Sequence, residues 1–385
     1  MKERIPRISI SLFLLIALLP VPAMGAEAAG NDAPEVSAEA AVLAELETGR
    51  ILYEKNPDRP MKAASTVKIL TGLLALENLD PAREVTVRPE WTGQEGSSMY
   101  LRPGQVCTVA ELLCGLLLVS GNDAALALAC TVSGSEEAFV ELMNRRASEL
   151  GMADSVFADA SGLKAEGHRV TARDMAALGC AAMKNPEFRA IVSARTAEAA
   201  GQALRNHNKL LDLYEGAIGV KTGYTKAAGR TLVSCAERQG LTLVCVTLNA
   251  PQDWKDHAAL LDWGFGHFVS ADPAALEWSL SVVSGMAPEV TVRPAPGGRL
   301  LLPKEGVRWE AELPRFVYAP VAAGEEAGAL RCRDGEGNTL CSLPLLYGED
   351  VAPDPAQKLG FWEKLRWAWL FACRHSAGYP QYVFY

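Results

Sequence analysis

The spacing of apolar residues changes along this chain, and each change predicts a different kind of element. Residues 41–55 (AVLAELETGRILYEK) form two β-rich runs on either side of Thr48-Gly49, which predicts a hairpin. Apolar residues at helical spacing then predict a helix from about Ser65 to Glu77. We therefore expect a strand pair followed by a helix in this region.

Residues 108–133 form an apolar run that is interrupted once. The break is Ser120-Gly121-Asn122-Asp123, and we expect the chain to turn sharply at Gly121 because glycine tolerates backbone conformations that other residues avoid. The run therefore predicts two helices joined by a tight turn. Further amphipathic helices are predicted over residues 135–151 and 171–192.

Beyond residue 216 the pattern alternates and becomes rich in β-branched residues. The predicted strands are AIGVKTGYT (217–225), RTLVSCAE (230–237) and LTLVCVTLNA (241–250). The turn Arg238-Gln239-Gly240 joins the last two as a hairpin, and residues 253–265 close this part as a helix. Helices grouped between two sets of antiparallel strands indicate a mixed α/β domain with a helical insert.

The remaining segments differ in character from this domain. Short β-type runs separated by Pro and Gly predict a small all-β domain over residues 279–350. Residues 1–25 have a basic start, an apolar run and small residues around Gly25, which predicts a signal peptide and an extracytoplasmic protein. Residues 356–375 interleave aromatic and basic side chains, which favours an amphipathic helix anchored on a membrane surface. A terminal helix docked on the β domain is the alternative.

Composition excludes some classes of function. With 49% hydrophobic and 22% charged residues, the 385-residue chain is typical of a globular protein of two or three domains. Its net charge of −9 argues against a nucleic-acid partner, because phosphate contacts need clustered Lys and Arg. None of the nine cysteines has CxxC spacing, which argues against a zinc site. Cys332 and Cys341 flank a Gly-rich turn, and the sequence leaves open whether they form a cross-strand disulfide or stay reduced.

Ser65 and Lys68 share one face of the first predicted helix, one turn apart. A serine hydroxyl is a weak nucleophile until a base removes its proton. A lysine can be that base if burial or neighbouring positive charge lowers its pKa. A capping serine beside a surface lysine has the same spacing, so the pair alone leaves both interpretations open.

Two further stretches carry polar groups on otherwise apolar elements. SGN at 120–122 places a hydroxyl and an amide on the turn between two apolar helices, and KTG at 221–223 places a lysine and a hydroxyl on a strand. Gly223 would let a ligand approach the strand backbone closely. Taken singly, either stretch also suits an ordinary connector or strand end.

In this order, Ser-x-x-Lys, Ser-x-Asn and Lys-Thr-Gly resemble the motifs of the penicillin-binding proteins and serine β-lactamases. The flanking sequence over about 35–268 is similar to the low-molecular-mass D-alanyl-D-alanine carboxypeptidases, serine peptidase family S11. The resemblance implies a penicillin-binding/β-lactamase-like transpeptidase fold for that range. Such a fold has an antiparallel sheet with helices on both faces and a helical subdomain, and here the small all-β domain would follow it.

The resemblance also implies a role for each motif residue. Ser65 would attack the carbonyl between the last two D-alanines of a peptidoglycan stem peptide, Lys68 would accept its proton, and Ser120 would relay a proton to the leaving D-alanine. The implied substrate-binding residues are Asn122, Lys221, Thr222, Gly223 and Tyr224, with the backbone N–H groups of Ser65 and Tyr224 as the oxyanion hole. Water would hydrolyse the acyl-enzyme, β-lactams would acylate the same serine, and no metal or cofactor is implied.

Two positions depart from the family's pattern. Asp159 stands where the family commonly has Asn, and APQDWKDHAA offers only Lys255 where the family often has a carboxylate-binding arginine. Two alternative functions stay open: a β-lactamase-like hydrolase, although no Glu-x-x-Leu-Asn segment is present, and a non-catalytic sensor of β-lactams or peptidoglycan. The sequence does not determine the preferred stem peptide or the oligomeric state.

Overall fold

The computed structural model describes residues 33–164, 167–355 and 381–384. The predicted signal peptide at 1–25 and the predicted amphipathic helix at 356–375 lie outside these ranges. Among the helices that fall inside them, none combines the length and apolar character needed to cross a bilayer.

The central sheet contains the predicted hairpin and the three predicted later strands. Its members are β1 (Ala40–Glu45), β2 (Ile51–Lys55), β7 (Ala217–Thr225), β8 (Gly229–Arg238) and β9 (Leu241–Leu248). All pairings are antiparallel, in the order β2-β1-β9-β8-β7. Gln239 and Gly240 both have positive φ, which explains the tight turn between β8 and β9. Strand β7 lies at the sheet edge, with one side of its backbone open.

Helices cover both faces of this sheet, as expected. They are α1 (Lys68–Asn78), α2 (Val109–Leu118), α3 (Asn122–Ser133), α4 (Glu136–Glu149), α5 (Ala172–Lys184), α6 (Pro186–Ser193), α7 (Leu210–Leu213) and α8 (Asp253–His267). Neighbouring residues of β9 face opposite cores: Val244 belongs to the core that includes residues of α1 to α6, and Leu243 belongs to the core that includes residues of α8. Glycines allow close packing on each face, since a Cβ at Gly179 would lie 2.9 Å from Val244 and one at Gly264 would lie 2.7 Å from Leu243.

The structure corrects two predicted helix boundaries. Residues 171–192 form two helices because Pro186 cannot continue α5, and Asn185 caps the start of α6 instead. The helix predicted from Ser65 begins as a 3-10 turn over Ala64–Val67, and α1 starts only at Lys68.

Short strand pairs and a second sheet complete the described chain. The short strands are β3 (Glu84–Thr86), β4 (Val106–Thr108), β5 (Thr196–Ala199), β6 (Gln202–Arg205) and β10 (Phe268–Ala271). The C-terminal strands are β11 (Trp278–Val283), β12 (Glu289–Pro294), β13 (Leu300–Pro303), β14 (Arg308–Glu312), β15 (Phe316–Tyr318), β16 (Glu326–Arg333), β17 (Thr339–Tyr347) and β18 (Gln381–Phe384). Seven of them form one sheet, and β13 pairs with β10.

The predicted all-β C-terminal unit therefore has its own core, which includes Val292, Leu330 and Leu345. Cys332 of β16 and Cys341 of β17 stand directly opposite each other. Both are free thiols. The sequence left open a disulfide or two reduced cysteines, and the structure has the reduced cysteines.

Candidate active site

The Ser65 hydroxyl and the Lys68 amine lie together at the start of α1. Lys68 Nζ is 3.0 Å from Ser65 Oγ. Lys68 is fully buried, whereas Ser65 is partly exposed. A 3-10 turn places residues three apart on the same side, which is why a lysine three positions after the serine can reach it.

The other two contacts of the Lys68 amine are both with acceptors. Nζ donates to Asn122 Oδ1 at 2.7 Å and to the Ser161 carbonyl at 2.8 Å. A neutral amine has two N–H donors and one lone pair. With both donors used in this way, the lone pair is left for the Ser65 hydroxyl.

The environment of Lys68 favours that neutral form. Burial lowers its pKa well below the usual value, and the positive charge of Lys221 lowers it further. The carboxylates of Asp159 and Asp123 oppose this shift. The net direction is the one that a lysine needs in order to act as a base.

Ser120 lies on the turn between α2 and α3 in a strained backbone conformation. Its φ is +64°, whereas Gly121, where we expected the sharp turn, has a φ of −57°. Gly121 is required for space instead, because a Cβ there would lie 2.8 Å from Asp123 Oδ1. Ser120 Oγ is buried without a hydrogen-bond partner among the described residues. A strained residue with an unpaired buried hydroxyl is typical of a functional position.

Asn122 and Asp123 attach a neighbouring loop to this turn. Asn122 Nδ2 donates to the Glu95 carbonyl at 2.5 Å, while its Oδ1 accepts from Lys68. The buried Asp123 carboxylate accepts from Met99 N and Leu101 N, both at 3.0 Å. Asp123 was not predicted as a positioning residue, although it directly follows the SGN motif.

Strand β7 brings its Lys-Thr-Gly segment against the Ser65 turn. Lys221 is buried, and burial lowers its pKa to about 7. Its Nζ donates to the Thr222 carbonyl at 2.9 Å. A Cβ at Gly223 would lie 2.4 Å from Thr231 Oγ1 and 3.0 Å from Ser65 N, so a side chain there would clash.

The sheet surface at Gly223 therefore lies directly against the backbone of Ser65. Tyr224 follows Gly223 on β7, the last strand of the sheet, and is 64% exposed. Arg230 of β8 stands directly opposite Tyr224, and its Nε lies 3.0 Å from Asp253 Oδ2 at the start of α8. Within its own segment the sequence offers only Lys255 as a cation, and Arg230, which is distant from that segment along the chain, was not predicted.

A loop over residues 159–164 supplies the Ser161 carbonyl that contacts Lys68. The Asp159 carboxylate organises this loop by accepting from Ser161 N at 2.6 Å and from Lys164 N at 2.7 Å. Burial by itself raises the pKa of Asp159, but the hydrogen bond and charge of His168 and the backbone N–H groups outweigh it, so the pKa lies well below its usual range. The Ser161 carbonyl and His168 were not identified from the sequence.

Two close contacts hold this loop against the start of α1. Thr71 Oγ1 donates to the Ala160 carbonyl at 2.7 Å. Gly162 has a φ of +78°, and a Cβ there would lie 1.9 Å from the Ala64 carbonyl oxygen. The loop therefore packs on the turn that carries Ser65, with no room for a larger residue at 162.

We expect Asp159→Asn to lower kcat/KM about tenfold, because the new amide cannot accept from Lys164 N and this partly buried loop hydrogen bond is lost. The substitution also removes a negative charge that raises the pKa of Lys68. Lys68 should then lose its proton at lower pH, so the acid limb of the kcat/KM profile should move to lower pH. The exposed Asp154→Asn is the matched control, and an acid limb that stays in place would show that the Asp159 charge does not influence Lys68.

Within the parts of the chain that the structure describes, no group of three or more His, Cys, Asp or Glu side chains could hold a metal ion. The geometry at Ser65 instead joins a hydroxyl, a buried amine and an open strand edge. Together these groups can perform nucleophilic attack on a carbonyl whose oxygen is held by backbone N–H groups.

Comparisons with known proteins agree with this geometry. A family model described as D-alanyl-D-alanine carboxypeptidase (peptidase S11) matches residues 27–252. The sequence is 30% identical over 383 residues to D-alanyl-D-alanine carboxypeptidase DacF of Bacillus subtilis (strain 168). That match covers 94% of this chain and 96% of the relative.

Solved structures are similar as well. Penicillin binding protein 5 from Haemophilus influenzae aligns with a TM-score of 0.65 at 29% identity, over 83% of this chain and 98% of that chain. Penicillin-binding protein D2 from Listeria monocytogenes, in an ampicillin-bound form, aligns with a TM-score of 0.56 at 30% identity, over 60% of this chain and 98% of that chain. These similarities confirm the fold class that the sequence predicts.

Proposed function

This chain belongs to the D-alanyl-D-alanine carboxypeptidase family, peptidase S11, and on that basis we propose a role for each residue of its site. As a member, it is a serine-type, penicillin-binding D-Ala-D-Ala carboxypeptidase that acts on the cell wall outside the cytoplasm. The observation that carries the proposed roles is the 3.0 Å contact between Lys68 Nζ and Ser65 Oγ in a buried site.

Ser65 is the nucleophile and Lys68 is its base. The neutral Lys68 amine takes the hydroxyl proton as Ser65 Oγ attacks the carbonyl carbon between the last two D-alanines. Negative charge then develops on the carbonyl oxygen, and the backbone N–H groups of Ser65 and Tyr224 stabilise it. Donors of this kind are typically worth about 3 kcal/mol each in a water-excluded site. The close approach of Gly223 to Ser65 N supports this arrangement.

A second group of residues, on the turn between α2 and α3 and on β7, acts on the leaving D-alanine. The unpaired Ser120 hydroxyl is available to relay a proton to the departing D-alanine amine. Lys221 and Thr222 bind the terminal carboxylate, and Asn122 binds the substrate backbone while it orients Lys68. Water hydrolyses the ester on Ser65 and completes the turnover.

We assign this chemistry to a catalytic domain over residues 35–268, followed by a small all-β domain over 279–350. We further propose that residues 1–25 are a signal peptide and that 356–375 form an amphipathic helix on the outer face of the cytoplasmic membrane. The basic and apolar start of the chain and the mixture of aromatic and basic residues near its end support these two assignments.

D-alanine release separates this function from the two alternatives. The purified protein is incubated with a pentapeptide ending in D-Ala-D-Ala, and free D-alanine is measured beside labelling by fluorescent penicillin. We expect catalytic release of D-alanine and a slowly hydrolysed covalent adduct on the peptide that contains Ser65. Rapid steady-state hydrolysis of penicillin would favour the β-lactamase. Stable labelling without any D-alanine release at micromolar protein would favour the sensor.

A further inference from the structure

A cavity of about 240 Å³ lies beside the Ser65 turn and is not used by the mechanism above. Three chain segments line it, 62–64, 162–164 and 225–227, together with His168. The first segment leads into Ser65, and the third directly follows Tyr224. The cavity is therefore lined by residues adjacent in the chain to Ser65 and Tyr224, and its volume suits a side group rather than a whole ligand.

Each of the three segments contributes an exposed lysine to this cavity: Lys62, Lys164 and Lys226. Lys164 is paired with Glu136, whose Oε2 lies 3.3 Å from its Nζ. Neither Lys62 nor Lys226 has an ion-pair partner among the residues that the structure describes. The cavity thus presents a positive local field in a chain whose net charge is −9.

His168, the other ionisable side chain among the described residues that line the cavity, does not cancel this charge. His168 is 8% exposed, and its Nε2 lies 3.2 Å from Asp159 Oδ2. The Asp159 carboxylate is itself buried and bound to backbone N–H groups of its own loop. Among the described residues that line the cavity, the exposed charges are therefore the three ammonium groups, and Glu136 beside Lys164 offsets one of them.

The direction of the substrate places its upstream residues at this cavity. The proposed function sets the terminal carboxylate at Thr222 and the scissile carbonyl at the N–H groups of Ser65 and Tyr224. An extended peptide on the free edge of β7 then runs antiparallel to the strand and advances about 3.4 Å per residue. The residue before the penultimate D-alanine consequently lies level with Thr225 and Lys226.

We propose that the cavity is a subsite for a carboxylate in the part of the stem peptide that precedes D-Ala-D-Ala. This inference rests on the proposed function, because that function sets the direction of the peptide. The recognised chemistry is an anionic side group held by Lys62, Lys164 and Lys226. In a stem peptide it can come from a diamino acid with a second carboxylate or from the free α-carboxylate of the γ-linked D-glutamate.

Matched peptides test the subsite on the unaltered protein. Pentapeptides of the form L-Ala-γ-D-Glu-X-D-Ala-D-Ala are compared with X as meso-diaminopimelate or lysine, which differ by one carboxylate. Each is also made with the glutamate α-carboxylate amidated. We expect kcat/KM to be roughly tenfold higher for the peptide that has the recognised carboxylate, because several solvent-exposed ion pairs together contribute about that much. This ratio of kcat/KM values should decrease as salt is added, because salt screens exposed charges. If replacing meso-diaminopimelate by lysine lowers kcat/KM, the recognised carboxylate is that of the diamino acid. If amidation of the glutamate lowers it, the recognised carboxylate is the α-carboxylate of the glutamate.

A β-lactam pair gives a second readout that does not depend on turnover. Carbenicillin carries a carboxylate on its acyl side chain that benzylpenicillin lacks, and that side chain corresponds to the upstream part of the peptide. We expect the ratio of acylation rates, carbenicillin over benzylpenicillin, to fall in Lys62→Glu and Lys226→Glu. The control Lys304→Glu changes the net charge equally at an exposed position of the β domain and should leave the ratio unchanged.

The outcomes separate the two levels of the proposal. Equal kcat/KM for all four peptides in the wild type, or ratios that survive Lys62→Glu and Lys226→Glu, would overturn the subsite while leaving the carboxypeptidase intact. Failure of folded protein to release D-alanine from every peptide and to be acylated by either β-lactam would overturn the proposed function, and the subsite with it.

Discussion

Ser65→Ala is expected to abolish both D-alanine release and acylation by β-lactams, with a loss of about 10⁴-fold or more in kcat. The reason is that alanine removes the oxygen that forms the covalent bond, and no other group of the site replaces it. The side chain is partly exposed and has Lys68 Nζ as its neighbour at 3.0 Å, so its removal should cost little stability. Intact-mass spectrometry after incubation with penicillin, together with D-alanine release, measures both effects.

Ser148→Ala is the matched control for this experiment. It deletes the same atom from an exposed position of α4, far from the Ser65 turn in the chain, and should keep full activity. Thermal unfolding of both variants shows whether a loss of activity reflects a loss of fold. A Ser65→Ala protein that still forms a covalent penicillin adduct would falsify the assignment of the nucleophile.

Lys68 is expected to be nearly as important, because the serine is not activated without a base. Proton transfer by a positioned side chain typically contributes 10²–10⁴-fold, so we expect Lys68→Ala to lower the acylation rate by about 10³-fold. The substitution also leaves the buried Asn122 Oδ1 and the partly buried Ser161 carbonyl without their donor, and an unpaired buried acceptor costs about 1–3 kcal/mol. A lower melting temperature should therefore accompany the slower reaction.

Lys68→Arg separates the contribution of Lys68 as a base from its contribution as a hydrogen-bond donor. A guanidinium still donates hydrogen bonds, but it stays protonated at all relevant pH values and cannot accept the serine proton. If Lys68 is the base, Lys68→Arg should be about as slow in acylation as Lys68→Ala even where it recovers part of the lost stability. Acylation by Lys68→Arg near the wild-type rate would mean that Lys68 only orients its neighbours. The measurement is the pre-steady-state rate of penicillin acylation beside thermal unfolding.

The sequence by itself determined the local features of this protein. The hairpin at 41–55, the two helices around 120–123 and the three later strands follow from periodicity and turn residues, which act over a few positions. The motifs around Ser65, Ser120 and Lys221 are also local, because each consists of adjacent residues whose types are chemically unusual for their element. Their order along the chain was sufficient to indicate the family and the class of reaction.

Only the tertiary structure decided how these groups meet. Lys68 contacts Asn122 across 54 positions and the Ser161 carbonyl across 93, and no local pattern encodes such distances. The Ser161 carbonyl in particular cannot be predicted from the sequence, because every residue has a carbonyl and only the packing decides which of them contacts the Lys68 amine. The same holds for the strained φ of Ser120 and for the cavity that collects Lys62, Lys164 and Lys226. Burial and the approach of distant charges determine the pKa of Lys68, and both arise only when the chain has folded.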